Sequence, residues 1–172
     1  VRVLSAMPSA AAWRRAIESF RTGDHRLAEV ATVGGVRYIN DSKATNPAAV
    51  LAALRALEPV PRGNVLLLAG GLDKDMDFEA LAAAAPWLKL AALYGACRGK
   101  IMAVLRDLTP TVECASLEAA FERAQERAEA GDIVLLSPAA ASMDMFKDYR
   151  ERGETFVRLV RVSALRQHPG QH

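Results

Sequence analysis

The chain has 172 residues, 51% hydrophobic and 24% charged, which suits one packed domain and excludes a disordered segment. Its net charge of +2 is too small to draw it to nucleic acid or an anionic membrane, and no apolar run reaches the length of a membrane span. Cys97 and Cys114 stand in no CxxC or metal-ligand spacing, which fits a reduced, cytoplasmic protein.

The chain opens Val1-Arg2-Val3-Leu4, with neither Met nor a signal-peptide pattern. Residues 9–20 predict a helix, with Ser9 as N-cap and Trp13, Ile17 and Phe20 recurring at spacings of four and three. Residues 21–26 are a polar connector containing Gly23, which places a boundary between 1–23 and 24–172. Residues 27–32 and 36–39 read as β runs, and Gly34-Gly35 between them signals a hairpin. Asn46-Pro47 opens a helix over 47–57, because Asn caps well and Pro fits the first helical position.

Residues 64–69 are a continuous apolar run ending in Gly70-Gly71, as expected of a strand covered on both faces. A helix over 78–85 with Asp77 as N-cap follows, then a strand over 90–94 and a helix over 100–108. A short strand over 111–114, a helix from the Ser116 cap to about 130, and a strand over 133–136 complete the alternation. Ser142 is the expected N-cap of the last helical region, which Gly153 is expected to interrupt. This rhythm implies an α/β fold, a Rossmann-like, doubly wound, mostly parallel sheet with flanking helices. Such sheets gather ligands beyond the C-terminal ends of their strands.

Three loops at those ends carry the chemistry. Ile39-Asn40-Asp41-Ser42-Lys43-Ala44-Thr45-Asn46-Pro47 packs acid, base, hydroxyl and amide into one strand-to-helix junction. Lys43 and Thr45 precede a helix N-terminus, whose free N–H groups and partial positive charge suit an anion. Asp41 at the strand end could cap the turn or pair with Lys43. In Gly70-Gly71-Leu72-Asp73-Lys74-Asp75-Met76-Asp77-Phe78 the glycines admit a close approach, and Lys74 offers a point charge to carboxylate or phosphate. The plainer reading is a solvated lysine between Asp73 and Asp75.

The third loop runs from Leu136 to Tyr149. There the Ser142 hydroxyl and the N–H groups of Met143 and Asp144 suit a carboxylate, with simple capping as the plainer reading. Tyr149, about two turns on, reaches the same place. Ser137 has no GxSxG elbow. Gly95-Ala96-Cys97-Arg98-Gly99-Lys100 has one residue too few for a phosphate loop, and Ile101 stands where a hydroxyl is needed, so it reads as an ordinary βα connection. No catalytic residue and no metal site emerges.

Taken together, the three stretches resemble the Mur ligases, in the branch that adds D-glutamate. The first matches Asn-Asp-Ser-Lys-Ala-Thr-Asn. The second is similar to Gly-Gly-x-x-Lys-x-x-Asp-Phe, and the third to Ser-Pro-Ala-x-Ala-Ser-x-Asp-x-Phe-Lys, continued from Arg150 to Phe156. His25-Arg26 fits the pair that closes the family's central domain. The resemblance implies that 24–172 is a C-terminal, amino-acid-binding domain and 1–23 the end of a central, ATP-binding one. The chain is then expected to be a piece of a longer enzyme, working with its own N-terminal and central domains.

The implied substrates are ATP, UDP-N-acetylmuramoyl-L-alanine and D-glutamate. ATP activates a carboxylate as an acyl phosphate, which the D-glutamate amine attacks. ATP and Mg²⁺ would be held mainly by the domain outside this chain. Lys43, Thr45, Lys74, Ser142, Met143 and Tyr149 would face D-glutamate. Arg26 would face the ATP phosphate, and Asp41 the ribose. The family usually shows Phe at position 149 and often Leu at 143, which leaves backbone contacts unaffected. The isolated chain is expected neither to hydrolyse ATP nor to form the amide. Two other readings stand beside this one. The first is a stand-alone Rossmann-like module holding an anionic metabolite. The second is a folylpolyglutamate-type ligase, against which the wording of the first motif argues.

Overall fold

The computed structural model describes residues 25–57 and 61–167. The helix expected over 9–20, the proposed boundary at residue 23, and His168 and His172 lie outside the described residues. Six strands form one sheet: β1 (Ala28–Val33), β2 (Val36–Asn40), β3 (Val65–Gly70), β4 (Leu88–Tyr94), β5 (Thr111–Glu113) and β6 (Ile133–Leu136). Their spatial order is β1-β2-β6-β3-β4-β5. β1 and β2 form the antiparallel hairpin that Gly34-Gly35 signals, and every other pairing is parallel.

The α-helices among the described residues are α1 (Pro47–Ala56), α2 (Arg98–Leu105), α3 (Leu117–Arg127) and α4 (Tyr149–Gln167). Crossovers fix their side of the sheet. Moving from β2 through β3 and β4 to β5 proceeds toward one edge, and right-handed connections place α1, the 79–87 segment and α2 on one face. The return from β5 to β6 reverses direction, so α3 packs on the other face, where α4 joins it. α3 buries Leu117, Ala120, Phe121 and Ala124 at helical spacing, and α1 buries Val50, Ala53 and Leu54. Between the two layers Val65, Leu66, Leu67 and Leu68 are fully buried, each contributing about 1.5–3 kcal/mol relative to exposure.

Several boundaries differ from the sequence reading. Glu79–Trp87 is 3-10 rather than α-helical; Pro86 within it cannot donate to the helical ladder. Asp77 still accepts from the Glu79 N–H at 2.8 Å. Ser142 does not cap the last helix. Its carbonyl instead closes a tight turn, accepting from Met145 N (3.1 Å) and Phe146 N (2.9 Å). α4 begins seven residues later, where the Asp148 carboxylate accepts from the N–H groups of Arg150 (2.8 Å) and Glu151 (3.0 Å). Gly153 does not interrupt α4. It lies under the His25 ring, which occupies the space a Cβ would need.

Register brings the site together. Asn40 of β2 and Leu68 of β3 both lie level with Leu136 of β6. The loops after β2, β3 and β6 therefore leave the sheet side by side. β6 sends its chain to one face and both its neighbours send theirs to the other, so the switch of direction falls at β6.

Candidate amino-acid and nucleotide site

The loop after β2 is built by polar ties rather than apolar packing. Asn40 accepts from Ser42 N–H (3.1 Å), and its amide donates to the Gly153 carbonyl (3.2 Å) and meets His25 Nδ1 (3.0 Å). Asp41 is 6% exposed. One of its oxygens accepts from Leu27 N–H (3.2 Å) and the other from the Ser137 hydroxyl (2.8 Å). Of the two roles open to Asp41 in the sequence, it takes the turn-organising one, and no ion pair joins it to Lys43 among the described residues. Burial pushes its carboxyl above the usual range, while Ser137, Leu27 N–H and the Arg26 charge pull it down, and burial dominates. Arg26 itself is exposed.

Further along, Lys43 N–H donates to the His25 carbonyl at 3.1 Å. The Lys43 ammonium lies 5.4 Å from the centre of the Tyr149 ring, a cation–π distance. His25 meets that ring edge-on, and Arg150 covers it at 4.9 Å. Lys43 and Tyr149, 106 positions apart, thus share one patch. Thr45 is half-buried, next to Asn46, whose side chain caps Ala49 N–H at 2.9 Å.

After β3, the chain turns through Gly70-Gly71, and Leu72 N–H pairs with the Ala141 carbonyl at 2.7 Å. The loops after β3 and β6 are therefore stitched to each other. Gly71 adopts φ +145°, and a Cβ there would overlap the Ala141 carbonyl oxygen. Asp73 is clamped by Lys100 at 2.6 Å, which lowers the Asp73 carboxyl from its ordinary value, and it also accepts from Asp75 N–H at 2.9 Å. Lys100, the lysine of the phosphate-loop look-alike, is thus held by Asp73. Lys74, one residue on, is exposed and forms no ion pair with any described residue.

After β6, Ser142 is nearly buried at 4% exposure, whereas Met143 is 57% exposed. No hydrogen bond from the N–H groups of Met143 or Asp144 reaches a described residue. These donors remain available although they do not begin a helix. Asp144 reaches across to the loop after β4 and accepts from Ala96 N–H at 2.9 Å.

Four side chains contribute to the site to which the sequence reading assigns no role there: Asn40, Ser137, Asp144 and Arg152. Arg152 is fully buried and donates to Ser42 Oγ (3.0 Å), the Ser42 carbonyl (2.7 Å) and the Ala140 carbonyl (3.0 Å). A sequence signal for it exists. Arg152, Phe156 and Val160 recur every four residues, so an arginine heads the stripe that α4 buries.

Residues 25–140 match the family described as Mur ligase, glutamate ligase domain. The chain is 44% identical over 149 residues to the UDP-N-acetylmuramoylalanine–D-glutamate ligase of Methylococcus capsulatus, covering 86% of this chain and 32% of that enzyme. It is 46% identical over 142 residues to the ligase of the same name from Marinobacter nauticus, covering 82% and 32%. The chain thus spans about a third of the length of the curated relatives it matches. Among solved structures, it resembles the MurF ligase of Thermotoga maritima in complex with ADP (TM-score 0.57, 16% identity, 87% of this chain and 33% of that one). It also resembles a bifunctional folylpolyglutamate synthase/dihydrofolate synthase (TM-score 0.58, 18% identity, 91% and 36%). Those two likenesses concern the fold, and agree with the Rossmann-like, doubly wound sheet expected from the sequence. With the family match across most of the described residues, the chain belongs to the Mur ligase family, as its glutamate ligase domain.

Proposed function

We propose that this chain is the C-terminal domain of the ATP-dependent ligase that adds D-glutamate to UDP-N-acetylmuramoyl-L-alanine in peptidoglycan precursor synthesis. The observation that carries this reading is the 44% identity to a D-glutamate ligase over 86% of the chain. The domain binds D-glutamate and closes over ATP held by the preceding central domain, of which residues 1–23 are the end. It works in the cytoplasm, where its nucleotide-linked substrate is made. No described helix is long and apolar enough to cross a membrane.

D-glutamate carries two carboxylates and needs two separated anion sites. Lys74 and Thr45 serve one, from the loops after β3 and β2, with Lys43 close by. Ser142, with the N–H groups of Met143 and Asp144, serves the other, and Tyr149 closes the side. Holding both carboxylates turns attack by the amine into a positioned, effectively unimolecular step. Closure removes water that would hydrolyse the acyl phosphate. Arg26 and Asp41 face ATP; each Asp41 oxygen retains a second lone pair beyond its present partner. Among the described residues no group of three His, Cys, Asp or Glu side chains fits a metal ion, and Mg²⁺ would accompany ATP on the central domain.

The test is amide formation by the polypeptide that carries this chain together with its preceding domains. Turnover should require ATP, UDP-N-acetylmuramoyl-L-alanine and D-glutamate together, with L-glutamate a poor replacement. Turnover of L-glutamate onto a folate would favour the folylpolyglutamate-type reading. Binding of an anionic metabolite without turnover would favour the stand-alone module. The 172-residue chain alone should release no phosphate from ATP.

A further inference from the structure

Arg152 is the one fully buried arginine among the described residues, and its environment is unusual for a buried charge. No carboxylate lies within 4 Å of it among those residues, so it forms no salt bridge. Its three hydrogen bonds go to neutral acceptors, two on Ser42 and one on Ala140. Ser42 lies in the loop after β2, Ala140 in the loop after β6, and Arg152 itself on the first turn of α4. A Cβ on Gly71, in the loop after β3, would stand 3.3 Å from Arg152 Nη1. One guanidinium plane therefore borders all three loops at the switch point.

Burying an unpaired cation is unfavourable, and an apolar side chain of similar volume is often equally or more stable. An apolar side chain could fill this space. It could not bridge the Ser42 and Ala140 carbonyls, because that needs donors fanned out in a rigid fork. The network continues from there. Ser42 accepts from Arg152 Nε and its own hydroxyl donates to the Tyr149 carbonyl at 2.7 Å. Tyr149 in turn stands against Lys43. Ala141, next to Ala140, holds Leu72 N–H.

We propose that Arg152 is the positioning residue of the amino-acid site. Its guanidinium sets the spacing between the loop bearing Lys43 and Thr45 and the loop bearing Ser142, and through Ala140–Ala141 the placement of the loop bearing Lys74. It touches no ligand itself. The role assigned to it toward D-glutamate rests on the function proposed above, whereas the coupling of the loops does not.

Two measurements test this. The first is hydrogen exchange in the 172-residue chain, comparing wild type with R152K, which keeps the charge and loses the fork, and with the milder S42A. Segments 41–46, 70–76 and 137–146 should lose protection together, by about tenfold or more in R152K and less in S42A, while 117–127 of α3 stays unchanged. Loss confined to one loop in a folded variant overturns the proposal. If R152K unfolds globally, exposing 117–127 as well, S42A decides by the same criterion. The second is kinetics of the multidomain ligase. R152K should raise the D-glutamate KM about tenfold or more and leave the ATP KM within about twofold. A folded R152K with an unchanged D-glutamate KM overturns the positioning role. If wild type shows no D-glutamate-dependent turnover, the function proposed above falls, and the exchange data still judge the coupling of the loops.

Discussion

The Ser137 hydroxyl donates to the Asp41 carboxylate across 2.8 Å, so the first polar group after β2 is held by the first polar group after β6. Ninety-six positions separate the two residues, and parallel pairing of their strands makes them neighbours. Asp41 also holds Leu27 N–H at the entry to β1. It thus ties three segments at the edge where the ligand is proposed to bind.

That tie has a pH signature. Burial raises the Asp41 carboxyl above its ordinary value in the fold. The folded state then binds this proton more tightly than the unfolded chain does. The resulting stabilisation is complete below the unfolded pKa and is lost as pH rises through the folded one. Wild type should therefore lose stability relative to Asp41→Asn as pH climbs through the acid range, and the difference should be flat above it. Thermal midpoints of both proteins across that range check this. A difference independent of pH would mean that the hydrogen bonds cancel the effect of burial.

Lys74 should matter for the ligand and little for the fold. It is exposed, and no described side chain pairs with it, whereas its neighbour Asp73 is clamped by Lys100. A hydrogen bond to a charged group contributes about 1.5–3 kcal/mol, so Lys74→Ala in the multidomain ligase should lower kcat/KM for D-glutamate by about ten- to a hundredfold. Ser142→Ala should have a smaller effect, because the neighbouring N–H donors remain. Steady-state amide formation at varied D-glutamate, with ATP saturating, measures both. An unchanged D-glutamate dependence in Lys74→Ala would make Lys74 a solvated turn residue.

Gly71→Ala should be severe although it adds one methyl group. The new Cβ overlaps the Ala141 carbonyl oxygen, part of the backbone, and φ +145° is strained for any L side chain. Backbone strain and overpacking each contribute about 1–3 kcal/mol, so a combined loss of about 2–5 kcal/mol is expected in chemical denaturation. Gly99→Ala is the control, since nothing lies within 4 Å of a Cβ there.

Cys97 should be inert in the native chain. Its thiol is fully buried, and burial pushes it up to about 11. The reactive thiolate is then scarce at pH 8. Cys114 is also buried and raised by burial. Titration with a thiol reagent should show both groups silent until denaturant is added. Rapid labelling of Cys97 under native conditions would show that the loop after β4 opens.

The division between local and global information is visible residue by residue. Asn46 and Ser116 cap their helices as their chemistry dictates, at 2.9 and 3.3 Å, because capping involves only the next three residues. The hairpin through Gly34-Gly35 and the alternation of apolar strands with amphipathic helices are equally local, and they suffice to imply a doubly wound sheet and three loops at its ligand-binding edge. The last helix was less legible. Ser142 and Asp148 both suit an N-cap, and choosing Asp148 depends on the Leu72–Ala141 bridge and the Asp144–Ala96 contact, which hold 141–144 out of the helix.

By itself the sequence determined the fold class, the order of strands and helices along the chain, and the loops rich in charge and hydroxyl. Only the tertiary structure decided that β6 inserts between β2 and β3, placing Asp41 against Ser137 and Ser42 against Arg152. The reason is physical. Capping and periodicity are set within a few residues, whereas strand order and the burial of a charge depend on surfaces brought together from chain positions about a hundred residues apart.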